Sequence, residues 1–271
     1  MSVGDDGPGI LIERISREPP PVRPVMFSRQ NTGRHYSVVN ALSTWLEVET
    51  SREGARWMQA YRRGMPTSEL HAIGEATAPG TVIRFEPDPE IFGDSAFDLA
   101  AIGQRLQELA WLHEGLRVVY QGEPLTTPGG LAGWASELAE APLEMCLHVC
   151  DTAHEVDVEV VFAWRGEGDR IVRAFVNGES VERGTHVVGL WTGLARLATD
   201  MLGSEIGVDR TTERLGDGLV TLARIGVPVP RWTGWRREEI TNPEVAVAVQ
   251  QLLATAKLDE AQRRFLIARL M

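Results

Sequence analysis

The chain is poor in the features that define several protein classes. Two cysteines in 271 residues, Cys146 and Cys150, cannot make a disulfide framework, so stability has to come from a packed core. No apolar run is long enough to span a bilayer, and the N-terminus lacks the charged-then-apolar pattern of a signal peptide. The expectation is a soluble cytoplasmic protein with no membrane partner. Basic residues are outnumbered, with 27 Lys and Arg against 38 Asp and Glu and a formal net charge of -11. Phosphate-dominated binding needs clustered cations, so a chain this acidic is a poor autonomous nucleic-acid binder and should meet DNA only indirectly. What remains is ample apolar content, enough for one large domain or two of ordinary size.

The most informative stretch is 80–116, GTVIRFEPDPEIFGDSAFDLAAIGQRLQELAWLHEGL. A strand with period-two alternation runs into a Pro-Asp-Pro turn, and a helix follows with apolar residues at Leu106, Leu109, Ala110 and Leu112. This segment resembles the B subunits of DNA gyrase and topoisomerase IV, where GT-x-I-x-F-x-PD-x-x-IF leads to a helix reading RL-x-ELA-x-L. The same order of motifs continues through nearly the whole chain.

Residues 1–10, MSVGDDGPGI, taken alone read as a surface Asp-Asp-Gly turn. They resemble the family's V-x-D-N-G-x-G-I-P, the Gly-rich turn beside the nucleotide in the GHKL ATPase fold. The resemblance implies that Asp5 accepts a hydrogen bond from the adenine amino group, with Gly7 and Gly9 letting the backbone approach the base. Asp6, Pro8 and Leu11 depart from the pattern. Thr81 matches the Thr that shares the network around adenine, so Asp5 and Thr81 together keep the base end of the site. The family's water-activating Glu and Mg2+-holding Asn lie on a helix upstream of this motif, and this chain is expected to lack both.

The phosphate end is altered inside the sequence itself. Residues 18–24, EPPPVRP, are expected to be extended where the family has a helix and a long ATP lid. In residues 28–43, SRQNTGRHYSVVNALS, the second half resembles the family's S-V-V-N-A-L-S, which opens a helix behind the nucleotide, whereas the first half departs from the phosphate loop G-G-L-H-G-V-G. Of the glycines in G-G-L-H-G-V-G only Gly33 remains, followed by Ser37 at the head of S-V-V-N-A-L-S. Side chains now stand where backbone amides should approach an anion. Residues 44–61 alternate as an antiparallel hairpin around Arg52, Glu53 and Gly54.

In residues 146–154, CLHVCDTAH, Cys146, His148 and Cys150 alternate onto one strand face with zinc-compatible chemistry, but without C-x-x-C spacing. Buried thiols are the reading adopted, with no metal assigned. From residue 155 onward, FVNGESVERGTHVVG and GLVTLARIGVPVP resemble the start and later strand of the family's transducer domain. His186, after a Gly-Thr turn, is given no catalytic role. The family's Q-T-K loop, whose Lys contacts the terminal phosphate, falls on Trp235, Arg236 and Arg237, and Arg237 alone keeps the charge at the Lys position. Asn242, Pro243 and Glu244 form a helix start, with Asn242 as N-cap.

The resemblance implies a two-domain α/β (α+β sandwich) chain: a truncated GHKL domain over 1–144, then a ribosomal-protein-S5-like transducer over 145–271. The expected function is a divergent gyrase-B-like binding or regulatory module without ATP hydrolysis. It requires no cofactor, binding ATP or ADP weakly through the adenine end, and partners a gyrase or topoisomerase subunit or a second copy. Two other readings stand beside it. One is the ATPase and transducer portion of a type II topoisomerase completed by partner chains. The other is an acidic DNA mimic or decoy for gyrase A.

Overall fold

A computed structural model of the chain describes residues 1–10, 34–234 and 237–271. The expectation of an extended segment at 18–24, and the positions of Gly33, Trp235 and Arg236, lie outside these residues. The chain forms two compact units, Met1–Phe97 and Asp98–Met271. The division falls earlier than the expected boundary near residue 144, because residues 98–144 pack onto the sheet of the second unit.

The first unit contains strand β1 (Ser2–Asp5), helix α1 (Arg34–Ala41), strands β2 (Ser43–Arg52), β3 (Ala55–Arg62), β4 (Met65–Pro66), β5 (His71–Glu75) and β6 (Gly80–Pro87), and helix α2 (Pro89–Phe92). The strands form one antiparallel sheet in the order β1-β6-β2-β3-β4, with β5 also pairing β3. Even-numbered residues of β2 face inward: Leu46 and Val48 are buried with Tyr61 of β3, and Ile10, Val39, Trp57, Ile83 and Phe85 pack around them. Residues directly opposite in an antiparallel ladder share a face. The core therefore reaches β6 through Ile83, and Val3 of β1, opposite Ile83 in register, lies exposed at its margin.

The second unit runs α3 (Leu99–Leu112), β7 (Val118–Tyr120), β8 (Glu123–Leu125), α4 (Gly130–Ala139), β9 (Leu143–Ala153), β10 (Val156–Arg165), β11 (Ile171–Val176), β12 (Glu179–Ser180), β13 (Arg183–Gly184), α5 (Thr185–Leu202), α6 (Val208–Leu215), β14 (Leu219–Gly226), β15 (Trp232–Thr233), β16 (Glu239–Ile240), α7 (Pro243–Ala254) and α8 (Glu260–Leu270). Its main sheet has the order β12-β11-β14-β10-β9. Only β11 and β14 are parallel within it, and α5 and α6 lie between them in the chain. Both faces are covered. Val156, Val158, Val160, Phe162 and Trp164 of β10 join a core with α5, α7 and α8, whereas Val161 and Ala163 join Trp111, Leu131, Trp134 and Phe175 on the opposite face. This second core is why the segment carrying α3 and α4 belongs with the second unit. Trp164 donates its indole N–H to the Leu215 carbonyl at 2.8 Å, which satisfies the polar atom that burial would otherwise penalise. Gly189 and Gly193, one turn apart on α5, lie against Ala246 and Leu253 of α7, where a Cβ would crowd the neighbouring helix.

The hairpins follow a single backbone rule. Two-residue loops at Glu53-Gly54, Arg63-Gly64, Gln121-Gly122, Asn177-Gly178 and His154-Glu155 all place both residues at positive φ, the type I′ requirement for right-twisted strands. The first is the hairpin expected around Arg52, Glu53 and Gly54. The last is the exception in composition, since Glu155 has φ +61° where glycine would be unstrained. Asn242 occupies the N-cap position of α7, but its side chain does not cap the helix. Its amide instead accepts from Arg231 N–H and donates to the Val229 carbonyl and to Glu244, tying the preceding segment to the helix start.

The strain at His154-Glu155 gives a direct test. A left-handed residue other than glycine costs about 1–2 kcal/mol, and glycine returns about half of that as backbone entropy. Glu155→Gly is expected to raise the unfolding free energy by about 0.5–1 kcal/mol, read as a higher urea midpoint.

Candidate functional site

The residues expected at the base end are assembled by strand register. Asp5 on β1 stands directly opposite Thr81 on β6, and Thr81 stands opposite Thr50 on β2. The three side chains thus form a polar row on the core-bearing face, next to the apolar row Val3, Ile83 and Val48. Thr50 and Thr81 are buried, and Asp5 is exposed at the edge strand. One Asp5 carboxylate oxygen, Oδ1, accepts the Gly7 N–H at 2.9 Å, an Asx-turn contact that orients the group.

The glycines of the turn answer to space as well as conformation. Gly9 has φ +74°, and a Cβ there would collide with the Ser51 carbonyl. Gly80 has φ +154°, and a Cβ there would sit 2.5 Å from the Asp5 carbonyl oxygen. Two β2 residues hold the turn down. Thr50 Oγ1 accepts the Ile10 N–H at 2.8 Å, and Arg52 Nη1 donates to the Pro8 and Gly9 carbonyls at 3.3 and 3.2 Å. Sequence reasoning missed Thr50 and Gly80. The available signal was a hydroxyl at an inward position of β2, where Leu46 and Val48 set an apolar alternation.

The structure therefore brings together Asp5, Gly7, Gly9 and Thr81. Ser37 lies on α1, half-buried. Arg237 belongs to the second unit, where it is exposed at φ +58° in a turn closed by its N–H on the Gly234 carbonyl.

The cysteine and histidine strand face is also resolved by register. Cys146, His148 and Cys150 lie on β9 opposite Ala163, Val161 and Glu159 of β10. Cys146 packs beside the α4 core, and burial pushes its thiol pKa up, but Cys150 is exposed, contrary to the expectation of two buried thiols, because its strand position lies beyond the helix-covered core. His148 Nε2 bonds Glu159 Oε1 at 3.0 Å, and Arg224 of β14 pairs with Glu159 Oε2 at 2.9 Å. Among the described residues no group of three His, Cys, Asp or Glu side chains is arranged to hold a metal ion. His186 is buried, with Nε2 on the Val181 carbonyl at 2.9 Å, and burial lowers its pKa. That bond makes Nε2 the protonated nitrogen of a neutral ring, a packing role. No helix among the described residues is long and apolar enough to cross a membrane.

Comparison with known proteins places these features in a family context. A family model described as DNA gyrase B matches residues 130–261. The DNA gyrase B protein of Thermus thermophilus is 31% identical over 286 residues, covering 93% of this chain and 45% of that protein. The DNA gyrase B protein of Archaeoglobus fulgidus is 31% identical over 242 residues, covering 82% of this chain and 38% of that protein. The crystal structure of the 43K ATPase domain of Thermus thermophilus gyrase B, in complex with an aminocoumarin, superposes with a TM-score of 0.81 at 30% identity. That superposition covers 99% of this chain and 79% of the other. The chain spans less than half the length of the curated relatives it matches.

Two measurements probe these sites. Gly9→Ala should lower the unfolding free energy by about 1–3 kcal/mol, the cost of a strained backbone against a fixed carbonyl, measured by urea titration. At the second site, the bond to Glu159 raises the His148 pKa against the opposing effect of burial, with further help from the charges of Glu159 and Glu114. The stabilisation is complete below the ordinary value of 6.5 and is lost as pH rises through the raised folded value. The Glu159 pKa is lowered, first by the bond to His148, so its contribution is lost as pH falls below 4.5. His113 has a pKa lowered by burial and by Arg224, and it titrates with the opposite sign. The difference between the wild type and His148→Gln therefore isolates the pair. The melting temperatures should be furthest apart near about pH 6 and converge as pH rises through the raised His148 value.

Proposed function

The chain belongs to the DNA gyrase B family, and from that premise we propose that it is a purine-nucleotide-binding module of the family that does not hydrolyse ATP. Its mixed α/β fold matches the ATPase-domain structures of gyrase B. The observation that carries the reading is the register that sets Asp5 against Thr81 next to a turn in which Gly9 leaves no room for a side chain. A carboxylate with one oxygen fixed by Gly7 offers the other to a donor, and an exocyclic amino group is such a donor. The buried Thr81 hydroxyl lies beside it in the same row.

Support for the absence of hydrolysis comes from the phosphate end of the sequence. Residues 29–35 read Arg-Gln-Asn-Thr-Gly-Arg-His, with one glycine where the resemblance calls for an amide-lined loop. Phosphoryl transfer depends on metal and on positioning of the terminal phosphate more than on grip of the base. Losing the loop removes turnover before it removes recognition. The second unit, with its five-stranded sheet covered on both faces, fits a transducer-like body that carries the state of the first unit to a partner. The relatives are subunits of larger enzymes, and a subunit of that kind is the partner this reading assigns.

A second reading, in which partner chains complete an ATP-dependent topoisomerase, is favoured by one feature. Among the described residues, strand β1 is the edge of its sheet and is exposed along all four positions, a place where a further strand could pair.

Calorimetric titration with ATP, ADP and adenosine decides between them. The proposal expects the three to bind within about threefold of one another, with phosphate release in Mg2+ no faster than buffer. Asp5→Asn should weaken all three by about 10- to 100-fold, since a charged acceptor is replaced by an amide. Metal-dependent turnover by the chain alone overturns the proposal. Turnover only on mixing with gyrase subunits supports the second reading.

A further inference from the structure

We propose that Thr50 is a positioning residue of the base-binding end: its hydroxyl locks the Gly-rich turn and thereby sets the Asp5 carboxylate, without touching a ligand. The inference rests on the nucleotide reading of that site.

Thr50 is fully buried on the inward face of β2, following Leu46 and Val48. Its single hydroxyl is used twice, accepting from Ile10 N–H at 2.8 Å and donating to the Gly80 carbonyl at 3.3 Å. The two partners are the ends that bracket the site. Ile10 follows the turn, outside any strand ladder, and Gly80 begins β6 with its backbone pressed against Asp5 and Asp6. The hydroxyl thus ties the exit of the turn to the strand that carries Thr81. Arg52, two residues along the same strand, holds the Pro8 and Gly9 carbonyls between these points.

With Pro8, Gly9 and Ile10 fixed, the Gly7 amide is fixed, and that amide bonds Asp5 Oδ1. The chain of contacts runs from Thr50 through the turn to the carboxylate. A pre-oriented carboxylate binds more tightly than a mobile one because less freedom is lost on binding. A purely packing role for Thr50 predicts the reverse sensitivity to substitution, so paired variants separate the two. Thr50→Val keeps the volume and removes the hydroxyl, whereas Thr50→Ser keeps the hydroxyl and removes a methyl group.

The experiment measures hydrogen exchange at the Ile10 amide and calorimetric affinity for ADP in the wild type and both variants, with circular dichroism confirming the fold. In Thr50→Val the Ile10 amide is expected to exchange at least about tenfold faster, and ADP to bind at least about fivefold more weakly. Thr50→Ser should stay within about twofold of the wild type in both. Unchanged Ile10 exchange in Thr50→Val, or a larger loss in Thr50→Ser than in Thr50→Val, overturns the proposal. A wild type that binds no adenine nucleotide defeats the nucleotide reading and with it the ligand-positioning role, and the exchange arm still decides whether Thr50 locks the turn. If Thr50→Val does not fold, Thr50→Cys takes its place. Its weakly bonding thiol should give losses in both readouts larger than Thr50→Ser, and equal values for the two overturn the inference.

Discussion

The register of three antiparallel strands is the constraint on which the site depends. Because β1, β6 and β2 pair in one frame, Asp5, Thr81 and Thr50 fall into a single row, and the residues one pair along, Val3, Ile83 and Val48, fall into the apolar row beside it. A slip of one residue would turn the carboxylate and both hydroxyls to the other face and expose the core with them. This polar row and the core residues beside it are therefore specified by the same backbone hydrogen bonds. The stability of the sheet and the integrity of the site cannot be separated.

The second unit solves a different problem. Its strand β10 is buried on both faces, so its residues alternate between two cores rather than between core and solvent. At the end of that strand the alternation gives way to charge: Glu159 bonds His148 on one neighbour and Arg224 on the other. A carboxylate partly removed from water needs such partners, and both have side chains long enough to keep contact with solvent. The arrangement explains residues whose composition suggested metal binding. The histidine is occupied by a carboxylate, and the two thiols sit in unlike surroundings, one packed against a helix and one exposed.

Much of the fold was legible in the sequence because it rests on local rules. The hairpin at Glu53-Gly54 follows from a turn in which both residues need positive φ, and Gly54 announces it. The strand 80–87 and the helix ending at Leu112 follow from their periodicities. Less was legible where one residue had a choice of partners. Asn242 has the chemistry of an N-cap and stands at the cap position, yet its amide serves the chain at 229–231, since that segment also brings unpaired backbone groups. The helices between residues 99 and 139 follow a motif order that placed them with the first unit. Their apolar faces found a larger partner in the sheet of the second.

The sequence by itself determined the family resemblance and many of the strand and turn positions, because each depends on side chains or backbone preferences within a few neighbours. Tertiary structure alone decided that Thr50 joins Asp5 and Thr81, that Arg52 clamps the turn, and that Glu159 claims His148. Those pairings join residues 30 or more positions apart in the first unit and strands from three places in the second. Register is a property of two chains of hydrogen bonds closing against each other, and no single stretch of sequence contains it.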